Sequence, residues 1–209
     1  MKIAVVNETS AADKNTDIIA ALEGRGHNVI NVGMKKNFDK PELTYIHTGL
    51  LSAMLLNLNR VDFVIGGCGT GQGFMNSVMQ YPGVICGLIA TPLDAWLFIQ
   101  INGGNCISLM LNQSYGWASN EKLKFIFDKI FSVERGCGYP PHRQISQRES
   151  LNTLKGISKR THKSFAEIIA DLPESVIKPV IEYPGVEEII DIDSIEDKGM
   201  KEALKKYYR

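Results

Sequence analysis

Short apolar runs rich in β-branched residues alternate with segments of helical periodicity, and this alternation constrains the fold more than any other feature. Residues 2–6, 27–32, 61–65, 83–88 and 105–110 read as strands. Between and after them, residues 14–22, 43–58, a segment from about Phe74, 92–101 and 120–131 read as helices. In 43–58 the residues Leu50, Leu51, Met54, Leu55 and Leu58 keep helical spacing, and Gly24-Arg25-Gly26 ends the first helix. Strands joined through helices imply βαβ units. The expected fold class is α/β, an open parallel five-stranded sheet in an α/β/α sandwich of Rossmann-like type. Ligands in such sheets bind beyond the carboxyl ends of the strands. Those ends carry Asn7-Glu8-Thr9, Gly66 to Gly73 and the segment after Met110.

After about Arg148 the composition shifts. Residues 149–209 hold much of the Lys and Glu, with helical patterns at 165–172 and 198–208. We expect an α/β domain over 1–148 and a mainly helical C-terminal extension over 149–209, packed on the sheet domain or on a partner subunit. The 209 residues suffice for such a plan.

Net charge is zero, from 23 basic and 23 acidic residues, so no nucleic-acid footprint shows in the total. The N-terminal apolar run is too short for a signal peptide. No segment approaches the roughly 18 apolar residues of a membrane span. A cytoplasmic chain is expected, without nucleic-acid or membrane partners. Cys68, Cys86, Cys106 and Cys137 lack the spacing of a zinc site, so no metal is expected, and they should be free thiols.

Only Cys68 has a distinctive context. Gly66-Gly67-Cys68-Gly69-Thr70-Gly71-Gln72-Gly73 joins a strand to a helix. Glycines there permit positive φ and close backbone approach, and the following amides would stabilise an oxygen anion or a thiolate. The block fits neither the dinucleotide pattern nor the P-loop pattern. An inert buried cysteine in a tight turn is the plainer alternative.

Gly67-Cys68-Gly69-Thr70-Gly71-Gln72-Gly73, followed by Pro82-Gly83-Val84, resembles the signature loop of the ribose-5-phosphate isomerase B and galactose-6-phosphate isomerase family. Lys2-Ile3-Ala4-Val5, Tyr45 and the Asn102–Asn105 block also match, and the resemblance covers about residues 1–145. It implies an aldose–ketose isomerase that passes through an enediolate, needs no cofactor, and forms a homodimer, or a dimer of dimers, with shared active sites. It also implies that Cys68 is the base. Moving a hydrogen between adjacent carbons needs a base and a stabilised oxyanion, which Cys68 and the amides of Gly69 to Gly73 can supply. Thr70 carries the one hydroxyl of the loop, to orient the thiol proton or merely to start the turn. Glu8 is a second acid/base candidate or a solvated carboxylate. Tyr45 is a pocket-lining candidate, and Gly69, Gly71, Gln72 and Gly73 are substrate-binding candidates. Asn102 is expected to act across the dimer, because residues 92–101 are too apolar to face solvent. His47 reads as a surface or interface residue, His27 and His162 as structural, and Trp117 as a pocket cover, core or interface residue.

Departures from the family pattern bear on substrate. Glu8-Thr9 stands where the family's phosphopentose members have Asp-His, and Ile101-Asn102 where they have His-Asn. Isoleucine cannot move a proton to open a sugar ring. Of the family's phosphate arginines, one position holds Asn112, one Tyr139, and one is kept as Arg143. One arginine suits a carboxylate better than a phosphate dianion. The chain is similar here to the branch acting on 4-deoxy-L-threo-5-hexosulose uronate. A phosphorylated sugar (ribose 5-phosphate or galactose 6-phosphate type) is the alternative substrate. A non-catalytic subunit of a hetero-oligomer is the third reading.

Overall fold

The computed structural model describes residues 1–113 and 115–208. Five strands, β1 (Lys2–Asn7), β2 (Asn28–Asn31), β3 (Phe63–Cys68), β4 (Cys86–Ile89) and β5 (Cys106–Met110), form one sheet in the order β2-β1-β3-β5-β4. Every neighbouring pair is parallel. The helices between them are α1 (Asn15–Leu22), α2 (Tyr45–Asn57), α3 (Gln72–Val78), α4 (Pro92–Asn102) and α5 (Ser119–Phe131). Alternate strand residues serve opposite faces, as the pleat requires. Ile3, Val5, Ile65 and Ile107 pack with α1, α4 and α5, whereas Ala4, Val6 and Val64 pack with α2 and α3.

β3 extends three residues beyond the strand expected from sequence, which ended at Ile65. Gly66 and Gly67 are ladder residues paired with Ser108 and Leu109. Their lack of side chains serves packing rather than turn formation. A Cβ on Gly66 would lie 2.1 Å from Phe74 Cζ, and one on Gly67 2.5 Å from the Leu109 carbonyl oxygen. Cys68 is therefore the last residue of a central strand and not the middle of a loop. Gly71 is the glycine of this block at positive φ (75°), and it turns the chain into α3 two residues earlier than expected.

Beyond α5 come α6 (Gln144–Thr161), α7 (Phe165–Asp171), α8 (Glu174–Ile181), α9 (Val186–Ile190) and α10 (Lys198–Lys205). The composition change at Arg148 falls inside α6. Sequence periodicity marked α7 and α10 but passed over the others for physical reasons. No residue of α6 is buried, so it carries no core-facing stripe, and α8 holds Pro179 in its interior. Phe165, Ile169, Ile177, Val186 and Leu204 join the same core as α2 and α3.

Candidate active site

The strand order reverses direction between β1 and β3, and crevices form at such switch points. Glu8 follows β1 and Cys68 ends β3, with Asn7 beside Gly67 in the ladder. The Cys68 side chain is buried at 6 % exposure, and its Sγ lies 4.0 Å from Thr70 Oγ1. Thr70 Oγ1 also accepts from the Gln72 amide at 3.4 Å, so the hydroxyl starts α3 as well as facing the thiol. The loop is held at several points. Gly71 N–H donates to Cys68 O, Leu111 N–H to the same oxygen, and the amides of Asn112 and Gln113 to Gly69 O. Ser108 Oγ donates to Gly71 O. The amides of Thr70, Gly73 and Phe74 have no acceptor among the described residues. Three N–H groups within six residues of the thiol are thus available to an oxyanion.

Glu8 is not a solvated carboxylate. It is 3 % exposed, caps the 3₁₀ turn Thr9–Lys14, and accepts from Ser10 N at 3.0 Å and from Ser10 Oγ. Burial pushes its pKa above the ordinary carboxylate value, with a smaller push from Glu42, against the lowering effect of the Ser10 bonds. Tyr45 opens α2 beside the loop, and a Cβ on Gly73 would lie 3.1 Å from the Tyr45 ring. Gln72 is exposed at the start of α3. Thr9, Ser10, Asp13, Asn37, Phe38, Glu42 and Asn112 line a cavity of about 430 Å³ on the Glu8 side.

Sequence reasoning missed Ser10 as part of this cluster. Its hydroxyl accepts from Gly69 N–H at 3.0 Å, and its carbonyl accepts from Asn112 Nδ2 at 2.7 Å. The local signal was Glu8-Thr9-Ser10, a carboxylate two residues before a hydroxyl at a strand end.

Asn102 and Arg143 lie elsewhere in the chain. α4 leaves the carboxyl end of β4 and runs back along the sheet, so its last residue, Asn102, emerges at the amino end of β5. The same end is pinned by Asn105 Nδ2 on Gly83 O (2.8 Å), and by Gly136 N–H on Ile99 O and Gly138 N–H on Gln100 O. Tyr139 packs edge-on against Trp96 at 4.8 Å, and the exposed Arg143 closes the adjoining turn, its Nε on Ser146 Oγ. A five-residue strand is about 17 Å long, so neither side chain joins its own chain's Cys68. His47 caps α2 with Thr44 and bonds Ser175 O through Nε2, fastening α8. His27 packs against Phe131 with the rings tilted by 60°, and His162 bonds back to Ser158 O of α6. Trp117 is fully exposed.

Among the described residues no cluster of three or more His, Cys, Asp or Glu could hold a metal ion. None of the described helices is long and apolar enough to cross a membrane.

Residues 3–132 match the sequence profile of the Ribose/Galactose Isomerase family. The chain belongs to this family. As a member it is an enzyme, an aldose–ketose isomerase of sugars. Two solved structures resemble this isomerase over its whole length. A 4-deoxy-L-threo-5-hexosulose-uronate ketol-isomerase complexed with a tartrate is 35% identical, with TM-score 0.92, covering 100% of this chain and 99% of that one. A ribose-5-phosphate isomerase from Vibrio parahaemolyticus is 37% identical, with TM-score 0.92 and 99% of both chains covered. The ribose-5-phosphate isomerase B of Mycoplasma genitalium, with bound ribulose 5-phosphate, shares the fold at 19% identity, TM-score 0.63, covering 77% of this chain and 97% of that one. No curated protein sequence matches significantly.

Proposed function

We propose that this isomerase acts on 4-deoxy-L-threo-5-hexosulose uronate, converting the aldehyde to the adjacent ketone through an enediolate. Cys68, as thiolate, removes the proton from the carbon next to the aldehyde. Electron density moves onto the carbonyl oxygen, where the amides of Thr70, Gly73 and Phe74 stabilise it. The same proton then returns to the former aldehyde carbon, so no external oxidant or reductant takes part. Thr70 orients the thiol proton, and Glu8 exchanges the hydroxyl proton between the two oxygens. Its raised pKa suits that exchange. Asn102 and Arg143 serve the site of a second copy, Arg143 pairing the substrate carboxylate. This accounts for their position at the far end of the sheet. We place the enzyme in the cytoplasm, where its four unpaired cysteines suit a reducing environment.

The observation that carries the substrate choice is the lining of the cavity on the Glu8 side. No cation is among its lining residues, and its two acids, Asp13 and Glu42, are paired with Lys14 and Lys40. A phosphate dianion would find no cation of this chain among the lining residues, whereas one carboxylate needs only a single Arg143. The 35%-identical solved structure, a 4-deoxy-L-threo-5-hexosulose-uronate ketol-isomerase, supports the uronate. The second reading, a phosphorylated sugar, is favoured by the 37%-identical Vibrio parahaemolyticus protein, which is a ribose-5-phosphate isomerase. Measuring kcat/KM of the pure enzyme on both sugars separates them. We expect the uronate to exceed ribose 5-phosphate by about tenfold or more, the effect of one unmatched charge contact of roughly 1.4 kcal/mol. The reverse order supports the second reading.

A further inference from the structure

We propose that Ser10 is a positioning residue of the isomerase, its hydroxyl anchoring the Gly69 amide and thereby fixing where the Cys68 thiol and the Thr70 amide point. The inference rests on Cys68 being the base. It comes from the directions of the bonds around one oxygen. Gly69 N–H can only donate, so at 3.0 Å Ser10 Oγ must accept. The hydroxyl hydrogen is left for the Glu8 carboxylate, which has no hydrogen of its own to give when ionised. Ser10 N–H donates to the same Glu8 oxygen, which holds the serine in one orientation. Gly69 is thus gripped on both sides, its N–H by Ser10 and its carbonyl by the amides of Asn112 and Gln113. Asn112 Nδ2 closes the ring of contacts on the Ser10 carbonyl.

Gly69 has no side chain and follows the catalytic thiol directly, so its peptide would otherwise turn freely. A Cβ there would meet Asn112 Nδ2 at 3.2 Å and Ser10 Oγ at 3.3 Å, so the space between these partners is closed. Ser10 itself is exposed and fills no core position. A purely structural reason for the hydroxyl is therefore weak, and removing it loosens the loop without opening a cavity.

The test compares Ser10→Ala and Ser10→Thr with wild type and Cys68→Ala on whichever of the uronate or ribose 5-phosphate the wild type turns over. We expect Ser10→Ala to lower kcat about tenfold or more, the scale of a misplaced reacting group, while KM stays within about twofold. Alkylation of Cys68 by iodoacetamide in the folded protein should change rate in the same variant. Ser10→Thr keeps the hydroxyl and should recover most of kcat. Wild-type kcat in Ser10→Ala, a loss confined to KM, or failure of threonine to recover kcat would each overturn the inference. Should Ser10→Ala fail to fold, the Ser10→Thr result decides by itself: kcat within about threefold of wild type supports the inference, and a larger loss overturns it. Cys68→Ala keeps the two claims apart. Turnover by that variant rejects the base assignment, whereas an inactive Cys68→Ala beside a fully active Ser10→Ala rejects only the role of Ser10.

Discussion

Replacing Gly66 by alanine probes how tightly the Cys68 loop is built onto the sheet. The added Cβ would stand 2.1, 2.5 and 2.7 Å from three ring carbons of Phe74. Carbon atoms pack at about 3.5–4.0 Å, so the ring or the strand must move by about 1.5 Å. Phe74 is fully buried and cannot swing into solvent, and Gly66 is pinned in the ladder between β1 and β5. Overpacking of this kind costs about 1–3 kcal/mol or more. The entropy gained by replacing glycine, about 0.4–1 kcal/mol, offsets only part of that. A net loss of about 2 kcal/mol lowers Tm by about 4–8 °C in a chain of this size. Because Phe74 belongs to the first turn of α3, its displacement also shifts the amides of Gly73 and Phe74, and kcat should fall with Tm. Thermal unfolding by circular dichroism, with steady-state kinetics, measures both. Gly116→Ala is the control, since among the described residues nothing lies within 4 Å of its Cβ position. Combining Gly66→Ala with Phe74→Leu should cost less than the sum of the single changes. A Gly66→Ala protein with wild-type Tm and kcat would refute the claim that Phe74 is wedged against β3.

Three further outcomes follow from the same contacts. Glu8 has a raised pKa through burial, so the folded state holds its proton more tightly than the unfolded one. Its contribution to stability is then present at low pH and lost as pH rises from the unfolded to the folded pKa. Glu8→Gln should therefore melt higher than wild type at pH 7.5, converge with it near pH 4, and lose activity; a lower Tm at pH 7.5 would contradict this. Mixing the Cys68→Ala and Asn102→Ala proteins, each severely impaired alone, should restore some activity once subunit exchange is verified by mass spectrometry. No return of activity would remove Asn102 from the site of a second copy. Deleting residues 149–209 removes Phe165, Ile169, Ile177 and Leu204 from the core shared with α2, so Tm should drop by about 10 °C or more. A truncated chain with unchanged Tm would make the extension a separable unit.

Much of this arrangement was legible in the sequence. The apolar runs marked all five strands, because buried parallel strands need continuous hydrophobic residues. The glycine block marked Cys68. The end of β3 was not legible, since Gly66-Gly67 reads locally as a turn and only Phe74 and Leu109, brought in by tertiary packing, explain it. Helix α6 carries too few core contacts to imprint a stripe. Ser10 escaped notice because its partner Gly69 is 59 residues away. The burial of Glu8 escaped for the same reason, since it depends on how the crevice between β1 and β3 closes. Asn102 and Arg143 were readable as candidates, but their place at the amino end of the sheet follows only from the direction of α4.

Turnover by Cys68→Ala on the preferred sugar tests the central claim most directly. Loss of a positioned general base costs at least about a hundredfold in kcat. The side chain is small and ends a strand, so the fold and substrate affinity should persist. We predict kcat reduced by that factor or more, with the melting temperature lowered by only about 2–4 °C, the scale of a loss of about 1 kcal/mol. A Cys68→Ala enzyme that isomerises the sugar at near wild-type rate would contradict the account.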